Sequence, residues 1–546
     1  MSSPTPTPVV ALAFAGLLAL GAVAPAVALG PTERIDDGPR ITAAYPDPLA
    51  DADVGEFVVV SHARNTTLSD GEGSVRVPAD GTVALSAAPN RTRNLTDHRV
   101  VGVDLPSLAN GGEVLTLTRD GERLARVEYD TAREGSVRRW RYDGDGRDGW
   151  VPLGRTDRPV VDTEGGSATA FVLPDAPGPP VETLRRADER VLLAGYTFAS
   201  ERATRALLEA HRRGVAVRVL LDGGPVGGIS RRSARLLDRL AAAGVEVRVL
   251  AGRATRYRFH HAKYAVVDDR ALVLTENWKP AGTGGNGSRG WGVRLRDPEA
   301  AAALAATFRA DAGWRAAVPW HEFRAGRYFD HRPPANGTFP SRVAPTTVSV
   351  SGASVLVAPE NAGDAVVSRL DAAEESVRVL QVSVDGPDQR FLRAAVRAAG
   401  RGVEVRLLLS GAWYVREENR ALADRLNTRA DREDLPLTVR LARPAGRFEK
   451  VHAKGAVVDD TVLLGSLNWN PTSARENREV VVALESAGAA RYFAGVFDED
   501  WAAAGAPRDT GPAQRFPVGL LGAVAVGALV ALLVASRLEF GGGRGF

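Results

Sequence analysis

The chain of 546 residues contains no cysteine and only one methionine. The absence of cysteine excludes disulfides, thiolate nucleophiles and cysteine-ligated zinc. The formal net charge is only +3, so the composition does not indicate a nucleic-acid partner. Any electrostatic attraction of an anionic ligand is therefore expected to come from a local cluster of charges. Apolar and charged fractions of 44% and 25% are typical of folded globular domains.

Lysine is also scarce. The chain has only four lysines, and nearly all of its other basic residues are arginines. Two of them, Lys263 and Lys454, occur in the same tripeptide, His-Ala-Lys, while Lys279 and Lys450 lie nearby in sequence. An ammonium is a compact point charge, whereas a guanidinium is a planar fork. The lysines of the two His-Ala-Lys tripeptides therefore indicate a site that requires a compact cation.

Both ends of the chain carry apolar runs. Residues 1–28 are interpreted as a signal peptide, because the run ends in Ala26-Val27-Ala28, which fits a small-x-small cleavage site. An uncleaved N-terminal anchor is the alternative. Residues 518–536 are uncharged and long enough to cross a hydrocarbon core of ~30 Å as a helix. They follow a linker at 504–517 and precede a short tail at 537–546.

These ends predict a cell-membrane protein with a single C-terminal transmembrane helix, an extracellular body and a cytoplasmic tail. The alternative for the second run is a buried core helix.

Residues 29–155 show short strand-like runs separated by Asp, Gly, Asn and Pro turns, which predicts a small all-β sandwich. The segment resembles a lamin-tail-type immunoglobulin-like domain in Tyr45-Pro-Asp-Pro, in Gly55-Glu-Phe-Val and in Asn110-Gly-Gly-Glu-Val-Leu-Thr-Leu. The resemblance implies a role in adhesion or positioning.

The rest of the body alternates strand-like and helix-like segments, which is the rhythm of a mainly parallel α/β sheet. It also repeats itself. Residues 261–269 and 452–460 agree at eight of nine positions and lie 191 residues apart, while the strand-like runs at Gly214 and Gly402 lie 188 residues apart. A slowly drifting offset indicates duplication. We therefore expect two α/β domains, at 171–335 and 348–503.

Each repeat carries a histidine, a lysine and an aspartate at positions i, i+2 and i+7, around an apolar stretch that reads as a buried strand. Residues i and i+2 of a strand point to the same face, so an imidazole and an ammonium should project together. The candidate catalytic residues are His261, Lys263, Asp268, His452, Lys454 and Asp459.

A second segment follows each motif, Val273-Leu-Thr-Glu-Asn-Trp278 in the first repeat and Leu463-Leu-Gly-Ser-Leu-Asn-Trp469 in the second. Their matching hydroxyl and amide side chains are candidates for hydrogen bonds to an anion, namely Thr275, Asn277, Ser466 and Asn468.

The doubled His-x-Lys-x4-Asp motif, followed by a Gly-Ser-x-Asn-like segment, resembles the phospholipase D superfamily. The resemblance implies two α/β/α sandwich domains related by a pseudo-twofold axis, with both motifs meeting at their interface. It implies that His261 attacks phosphorus to form a phosphohistidine and that His452 protonates the leaving alcohol, although the two roles are interchangeable by symmetry. It also implies that the lysines and asparagines bind phosphate, that Asp268 and Asp459 are structural, and that neither a metal nor a cofactor takes part.

Members of this superfamily place an acidic residue behind each catalytic histidine. The second repeat offers Glu479, which we expect to support His452, whereas the corresponding stretch of the first repeat, 288–292, contains no acid. No partner of His261 is therefore evident. Two imidazoles beside two ammoniums should not both be protonated, so we expect one neutral and one charged histidine near neutral pH.

Three functions remain open on this basis. The first is a membrane-anchored phosphodiesterase acting on phospholipid head groups by hydrolysis or transfer. The second is an extracellular nuclease using the same site, since DNA phosphodiesters demand the same chemistry. The third is a non-catalytic adhesion or scaffold protein, against which the intact motifs of both repeats argue.

Overall fold

The computed structural model describes residues 38–48, 51–93, 95–96, 98–140, 149–153, 156–252 and 254–505. The chain divides into two compact units, with the boundary between Gly154 and Arg155. The predicted signal peptide and transmembrane helix lie outside the described residues, as does nearly all of the predicted linker. Within the described ranges, no helix combines the length and apolar composition needed to cross a bilayer.

The first unit is built almost entirely of strands. Its elements are β1 (Arg40–Tyr45), β2 (Phe57–Ser61), β3 (Thr67–Ser69), β4 (Ser74–Arg76), β5 (Thr82–Ser86), α1 (Pro89–Thr92), β6 (Arg99–Gly102), β7 (Glu113–Arg119), β8 (Glu122–Tyr129), β9 (Ser136–Arg139) and β10 (Gly149–Pro152).

These strands form one sheet in the order β10-β9-β1-β2-β5-β6 and a second in the order β4-β3-β7-β8. Alternate residues of a strand point to opposite faces, so Val58 and Val60 of β2 pack with Leu115 and Leu117 of β7 in one core. Phe57 lies in a smaller cluster on the other face of β2. The predicted all-β domain is therefore present, while its resemblance to lamin-tail domains stays a prediction.

The second unit contains both repeats. The first repeat comprises β11 (Val161–Thr163), β12 (Gly166–Leu173), α2 (Gly178–Arg185), β13 (Arg190–Gly195), α3 (Glu201–Arg212), β14 (Ala216–Asp222), α4 (Arg231–Ala242), β15 (Glu246–Leu250), β16 (Tyr264–Val267), β17 (Arg270–Leu274), β18 (Ser288–Arg296), α5 (Pro298–Ala312), β19 (Ala317–Pro319) and α6 (Trp320–Arg324).

The second repeat follows the same plan. It comprises β20 (Thr346–Val350), β21 (Gly352–Ala358), α7 (Ala362–Asp371), β22 (Ser376–Gln381), α8 (Arg390–Gly400), β23 (Glu404–Leu409), α9 (Arg416–Glu433), β24 (Leu437–Leu441), β25 (Lys450–Val451), β26 (Gly455–Val458), β27 (Thr461–Gly465), α10 (Pro471–Arg475), β28 (Glu479–Glu485) and α11 (Ala487–Gly505).

Each repeat has a mixed sheet, so the expectation of a mainly parallel one is wrong. Three neighbouring strands of each repeat run parallel, β13-β14-β15 in the first repeat and β22-β23-β24 in the second. Helices connect these strands by crossovers, whereas the motif strands that follow are joined by short turns and pair antiparallel. The other strand pairs of each sheet are antiparallel, apart from the short parallel pairing of β25 with β18 across the repeats.

The two repeats exchange their first strands. The strand that precedes the first repeat, β11, pairs with β21 of the second, and β20 pairs with β12 of the first. Sheet membership thus crosses the predicted domain limits at 171 and 348. Because each sheet is completed by a strand from the other half, backbone hydrogen bonds join the two repeats.

Helices cover both faces of each sheet. Buried residues of α3, α4 and α6 pack on the outer face of the first sheet, and those of α7, α8 and α9 on the outer face of the second. Phe308 of α5 and Phe493 of α11 share one core with residues of both sheets. The α/β class, with two such domains preceded by an all-β region, is confirmed.

Candidate active site

The two histidine motifs meet where the repeats join. Each His-Ala-Lys segment runs just ahead of its strand, because β16 begins at Tyr264 and β26 at Gly455. The backbone N–H of His261 donates to the carbonyl oxygen of Arg478 at 2.9 Å, and that of His452 donates to the carbonyl oxygen of Arg289, also at 2.9 Å. Each histidine is therefore positioned by backbone of the opposite repeat.

Buried ion pairs hold both arginines. Arg478 donates from Nε to Asp311 of α5 at 2.9 Å and from Nη1 to Glu360 at 2.7 Å. Its guanidinium and the Asp311 carboxylate are completely buried. Such charges are stable out of water only when paired and hydrogen-bonded. The pairing to α5, which belongs to the first repeat, fixes the strand end that carries Arg478.

Arg289 repeats this arrangement in the other half. It lies 2.6 Å from Asp175 and 2.9 Å from Asp500 of α11. Asp175 and Glu360 occupy equivalent places, each two residues after the end of a matching strand, β12 or β21. The scaffold behind the two histidines is therefore close to symmetric.

Both motif lysines are buried beside their histidines. Lys263 donates to the carbonyl oxygen of His261, and Lys454 donates to that of His452 at 2.6 Å and lies 3.2 Å from its Nδ1. Burial lowers the pKa of Lys263 well below its usual range and that of Lys454 to about 8. The prediction that imidazole and ammonium lie together is matched by these contacts.

The predicted pairing of Glu479 with His452 is wrong. Both carboxylate oxygens of Glu479 lie 2.9 Å from Nδ1 of His261, in the other repeat. Sequence distance misled the prediction, because β28 begins at the repeat interface and its first residue, Glu479, reaches across it. Although burial opposes ionisation, His261 and Lys263 keep the pKa of Glu479 below its usual value. Glu479 is thus an ionised acceptor for Nδ1–H of His261.

The carboxylate nearest His452 is Glu276, which sequence reasoning missed. Its Oε2 lies 3.3 Å from Nδ1 of His452, and its side chain is almost completely buried. Burial raises the pKa of Glu276 to about 7, against the pull of the surrounding lysines. The available signal was the acid between Thr275 and Asn277, at a place where the second repeat has Leu467.

The surroundings of both imidazoles favour the neutral form, in contrast to the predicted division into one neutral and one charged histidine. Burial, together with Lys263 and Lys454, lowers the pKa of His261 to about 4 although Glu479 raises it. Burial, together with Lys454, Lys279 and Lys263, also lowers the pKa of His452 well below its usual value. The physical reason is that desolvation and nearby ammoniums both penalise a second positive charge.

The hydroxyl groups of Thr275 and Ser466 face the backbone of their own sheets. Thr275 accepts from the N–H of Trp291 at 2.9 Å, and Ser466 accepts from that of Val480 at 3.0 Å. These groups are used to join neighbouring strands, and their binding to an anion stays a prediction.

The two asparagines differ from these hydroxyls. Asn277 is buried and its Oδ1 has no hydrogen-bond partner among the described residues, while Asn468 is only half-buried. Their amides are the side chains of this segment that are free to serve a phosphate.

Asp268 and Asp459 lie away from the histidines, in the turns that follow β16 and β26. Asp268 accepts three backbone N–H groups, those of residues 188–190, at 2.9–3.0 Å, and Asp459 accepts those of residues 374–376 at 2.8–2.9 Å. Both adopt positive φ angles of 55° and 49°. These contacts close the turn at the start of β13 and β22, which is a structural role.

Tyr196, another residue that sequence reasoning missed, covers the first motif. Its ring meets the His261 ring edge-on at a centroid distance of 4.7 Å and lies 5.3 Å from Nζ of Lys263. Nothing in its sequence context marked it. Arg289 and Arg478 did carry a signal, since each precedes the position at which only the second repeat has an acid.

A protein family described as "Cardiolipin synthase, PLD-like domain" matches residues 181–312 and 366–501, one stretch in each repeat. Both stretches contain a complete motif with its histidine and lysine. The two repeats belong to the phospholipase D superfamily. The chain is accordingly a phosphodiester-active enzyme of this superfamily, and the reading as a non-catalytic scaffold is set aside. The sequence matches none of the curated proteins with which it was compared.

Several solved structures are similar to this phospholipase D-like protein. The phosphatidylserine synthase of Haemophilus influenzae Rd KW20 is 15% identical, with a TM-score of 0.46, over 62% of this chain and 85% of that one. The phospholipase D family member Nuc of Salmonella typhimurium is 19% identical, with a TM-score of 0.25, over 28% of this chain and 97% of that one. The polyphosphate kinase of Porphyromonas gingivalis is 14% identical, with a TM-score of 0.41, over 61% and 46%.

Proposed function

We propose that the protein cleaves or transfers phosphodiester head groups of phospholipids through a phosphohistidine intermediate. The observation that carries this proposal is the meeting of His261 and His452, each held by backbone of the other repeat and each with a carboxylate at Nδ1. Such a pair satisfies the two needs of the reaction, which are a nucleophile and a proton for the leaving oxygen.

In the first step, the neutral His261 attacks phosphorus through Nε2, because Nδ1–H is held by the ionised Glu479. The P–O bond to the leaving alcohol breaks, and the alcohol takes a proton from His452. Lys263 and Lys454 counter the charge on the non-bridging oxygens, which is the largest electrostatic demand of phosphoryl transfer. In the second step, His452 removes a proton from water or an acceptor alcohol, which attacks phosphorus and releases His261.

The surface around the site favours a lipid substrate. In the loop after β14, Val226 is 77% exposed, and its backbone N–H donates to the hydroxyl of Tyr196, the residue that covers His261. In the equivalent loop after β23, Trp413 is 70% exposed beside Tyr414, whose ring faces Lys450 at 5.4 Å. Exposed apolar and amphipathic side chains suit the interface between lipid and water.

We further propose that the enzyme is exported and held at the cell membrane, with residues 1–28 as the signal peptide and 518–536 as the membrane anchor. The support for this proposal is the apolar, uncharged sequence of both segments. Such an anchor keeps the active site within reach of phospholipid head groups.

A nuclease is the second candidate, because Trp413 and Tyr414 also offer rings on which nucleobases can stack. The exposed aliphatic side chain of Val226, in the first repeat, does not serve such stacking. This difference makes phospholipid the better supported substrate.

The purified protein should be offered mixed phospholipid vesicles and, separately, single-stranded DNA, both with EDTA present. We expect head-group release from vesicles and little DNA cleavage, with activity unaffected by EDTA because lysines supply the positive charge. His452→Ala is the control that should abolish turnover. DNA cleavage without lipid cleavage would favour the nuclease, and an active His452→Ala enzyme would contradict the composite site.

A further inference from the structure

Gly290 in the first repeat occupies the position that Glu479 occupies in the second. Gly290 pairs with Leu173, the last residue of β12, and Glu479 pairs with Ala358, the last residue of β21. Two residues further on, Gly292 and Val481 pair with the equivalent residues of β17 and β27. The first repeat therefore lacks an acid at the place where the second repeat has its carboxylate.

Glu276 fills the space that this absence creates. A Cβ atom on Gly290 would lie 2.3 Å from Cγ of Glu276, and one on Gly282 would lie 2.6 Å from its Oε2. Gly290 does not have a positive φ angle, so space and not backbone conformation requires glycine there. The first repeat thus carries its carboxylate just after β17, whereas the second repeat carries it at the start of β28. In both cases the carboxylate reaches a histidine of the opposite repeat.

The surroundings of this carboxylate differ from those of Glu479. Both oxygens of Glu276 are buried and neither has a hydrogen-bond partner among the described residues, although Oε2 lies 3.3 Å from Nδ1 of His452. All four lysines of the chain act to lower the pKa of Glu276, namely Lys454, Lys279, Lys263 and Lys450. Burial outweighs them and raises this pKa to about 7. Burial, with no hydrogen-bond partner for either oxygen in the described part of the chain, therefore favours the protonated form of the Glu276 carboxyl group.

We propose that Glu276 is the positioning partner of His452 and supplies, at Nδ1, the proton that replaces the one His452 gives from Nε2 to the leaving alcohol. Before the reaction, Glu276 is protonated and neutral His452 bears hydrogen on Nε2, while its unprotonated Nδ1 lies 3.3 Å from Oε2 of Glu276 and 3.2 Å from Nζ of Lys454. As the P–O bond breaks, the Nε2 proton passes to the leaving oxygen and the carboxyl proton passes to Nδ1. Glu276 ends ionised, and His452 ends neutral with a free electron pair on Nε2.

This proton relay also leaves His452 in the form that the second step requires. The free Nε2 of His452 is the base that the incoming water requires, and the ionised Glu276 now accepts hydrogen from Nδ1. The proton taken from water at Nε2 allows the Nδ1 proton to return to Glu276, which restores the starting state. Glu479 has no comparable role, because it stays ionised and keeps Nε2 of His261 free for attack.

The experiment compares two phosphodiesters that differ in their need for an acid. A bis(p-nitrophenyl) ester releases nitrophenolate without protonation, whereas an alkyl phosphodiester does not. This inference rests on the proposed function. If wild type gives neither a nitrophenol burst nor a phosphohistidine, the proposed function fails, and the relay is refuted with it.

For an active wild type, Glu276→Ala should keep the nitrophenol burst but lose alkyl-ester turnover by about 100-fold, a general-acid contribution. Glu276→Gln, which preserves volume but cannot donate the proton, should show the same selective loss. The matched variant Glu479→Ala should lose both activities. The double variant Glu276→Ala with Gly290→Glu, which restores the arrangement of the second repeat, should recover part of the alkyl-ester turnover.

Equal loss of burst and alkyl-ester turnover in folded Glu276→Gln would overturn the relay, because it would indicate a structural role alone. Unchanged alkyl-ester turnover in that variant would also overturn it. Because the substitution is isosteric, its result decides the question even if Glu276→Ala does not fold.

Discussion

The acid limb of the pH–rate profile should lie unusually low for a histidine nucleophile. His261 attacks only as the neutral imidazole, and its pKa is about 4 because burial and the two motif lysines outweigh Glu479. The value of kcat/KM reports the ionisations of the free enzyme. We therefore expect kcat/KM to rise with pH through about 4 and to reach its plateau well below the ordinary histidine pKa of 6.5.

The size of the effect follows from the shift itself. A lowering from 6.5 to about 4 corresponds to roughly 3 kcal/mol of disfavoured protonation. At pH ~5.5, a histidine with the ordinary pKa would be about one tenth neutral, whereas His261 should be almost wholly neutral. The enzyme should thus retain nearly full kcat/KM under conditions where an unperturbed histidine would leave about a tenth of it.

The assay is the initial rate of nitrophenol release from bis(p-nitrophenyl) phosphate at subsaturating substrate, because this leaving group isolates the nucleophile. Two variants should move the limb in opposite directions, whatever they do to the plateau. Lys263→Met removes a charge that lowers the pKa of His261, so the limb should move to higher pH. Glu479→Gln removes a charge that raises it, so the limb should move lower. A wild-type limb near 6.5, or shifts of the same sign, would refute the reasoning.

Two further predictions concern stability and location. Arg478→Met should lower the free energy of unfolding by about 3–5 kcal/mol in urea titrations, because it removes the guanidinium that pairs with the buried carboxylates of Asp311 and Glu360. Adding Asp311→Asn should recover part of the loss, and a cost below about 1 kcal/mol would contradict the role of this ion pair. Removal of residues 518–546 should release active protein from membranes in a cell-fractionation assay, so full retention of the truncated protein would contradict the proposed anchor.

Much of the fold was accessible from the sequence because its signals are local and repeated. The matching stretches at 261–269 and 452–460 identified the duplication and the motif residues, and the family match at 181–312 and 366–501 agrees with them. The strand–helix alternation predicted the class correctly. It did not predict the direction of each strand. Strands joined by a tight turn, such as the one at Asp268, have apolar runs similar to those of strands joined by a helical crossover.

What escaped prediction depends on contacts between the repeats. The placement of Glu479 in the second repeat suggested a partner in the same repeat, and only the folded interface shows that it reaches His261. Glu276 was hidden for a related reason, since its role depends on the space at Gly290, fourteen positions later in the chain. The exchange of β11 and β20 likewise leaves no trace in periodicity, because an edge strand reads the same whichever sheet it joins.

The scaffold behind the two histidines is symmetric, but the carboxylates beside them are not. The buried arginines are matched almost atom for atom, Arg478 with Asp311 and Arg289 with Asp500, and each arginine presents its carbonyl to one histidine. The backbone therefore holds the two imidazoles alike. The difference lies in the carboxylates, because Glu479 lies 2.9 Å from Nδ1 of His261 and has a lowered pKa, whereas the equally buried Glu276 has no hydrogen-bond partner among the described residues and a pKa raised to about 7. In the proposed mechanism, the different placement of these two carboxylates is what distinguishes the nucleophile His261 from the acid His452.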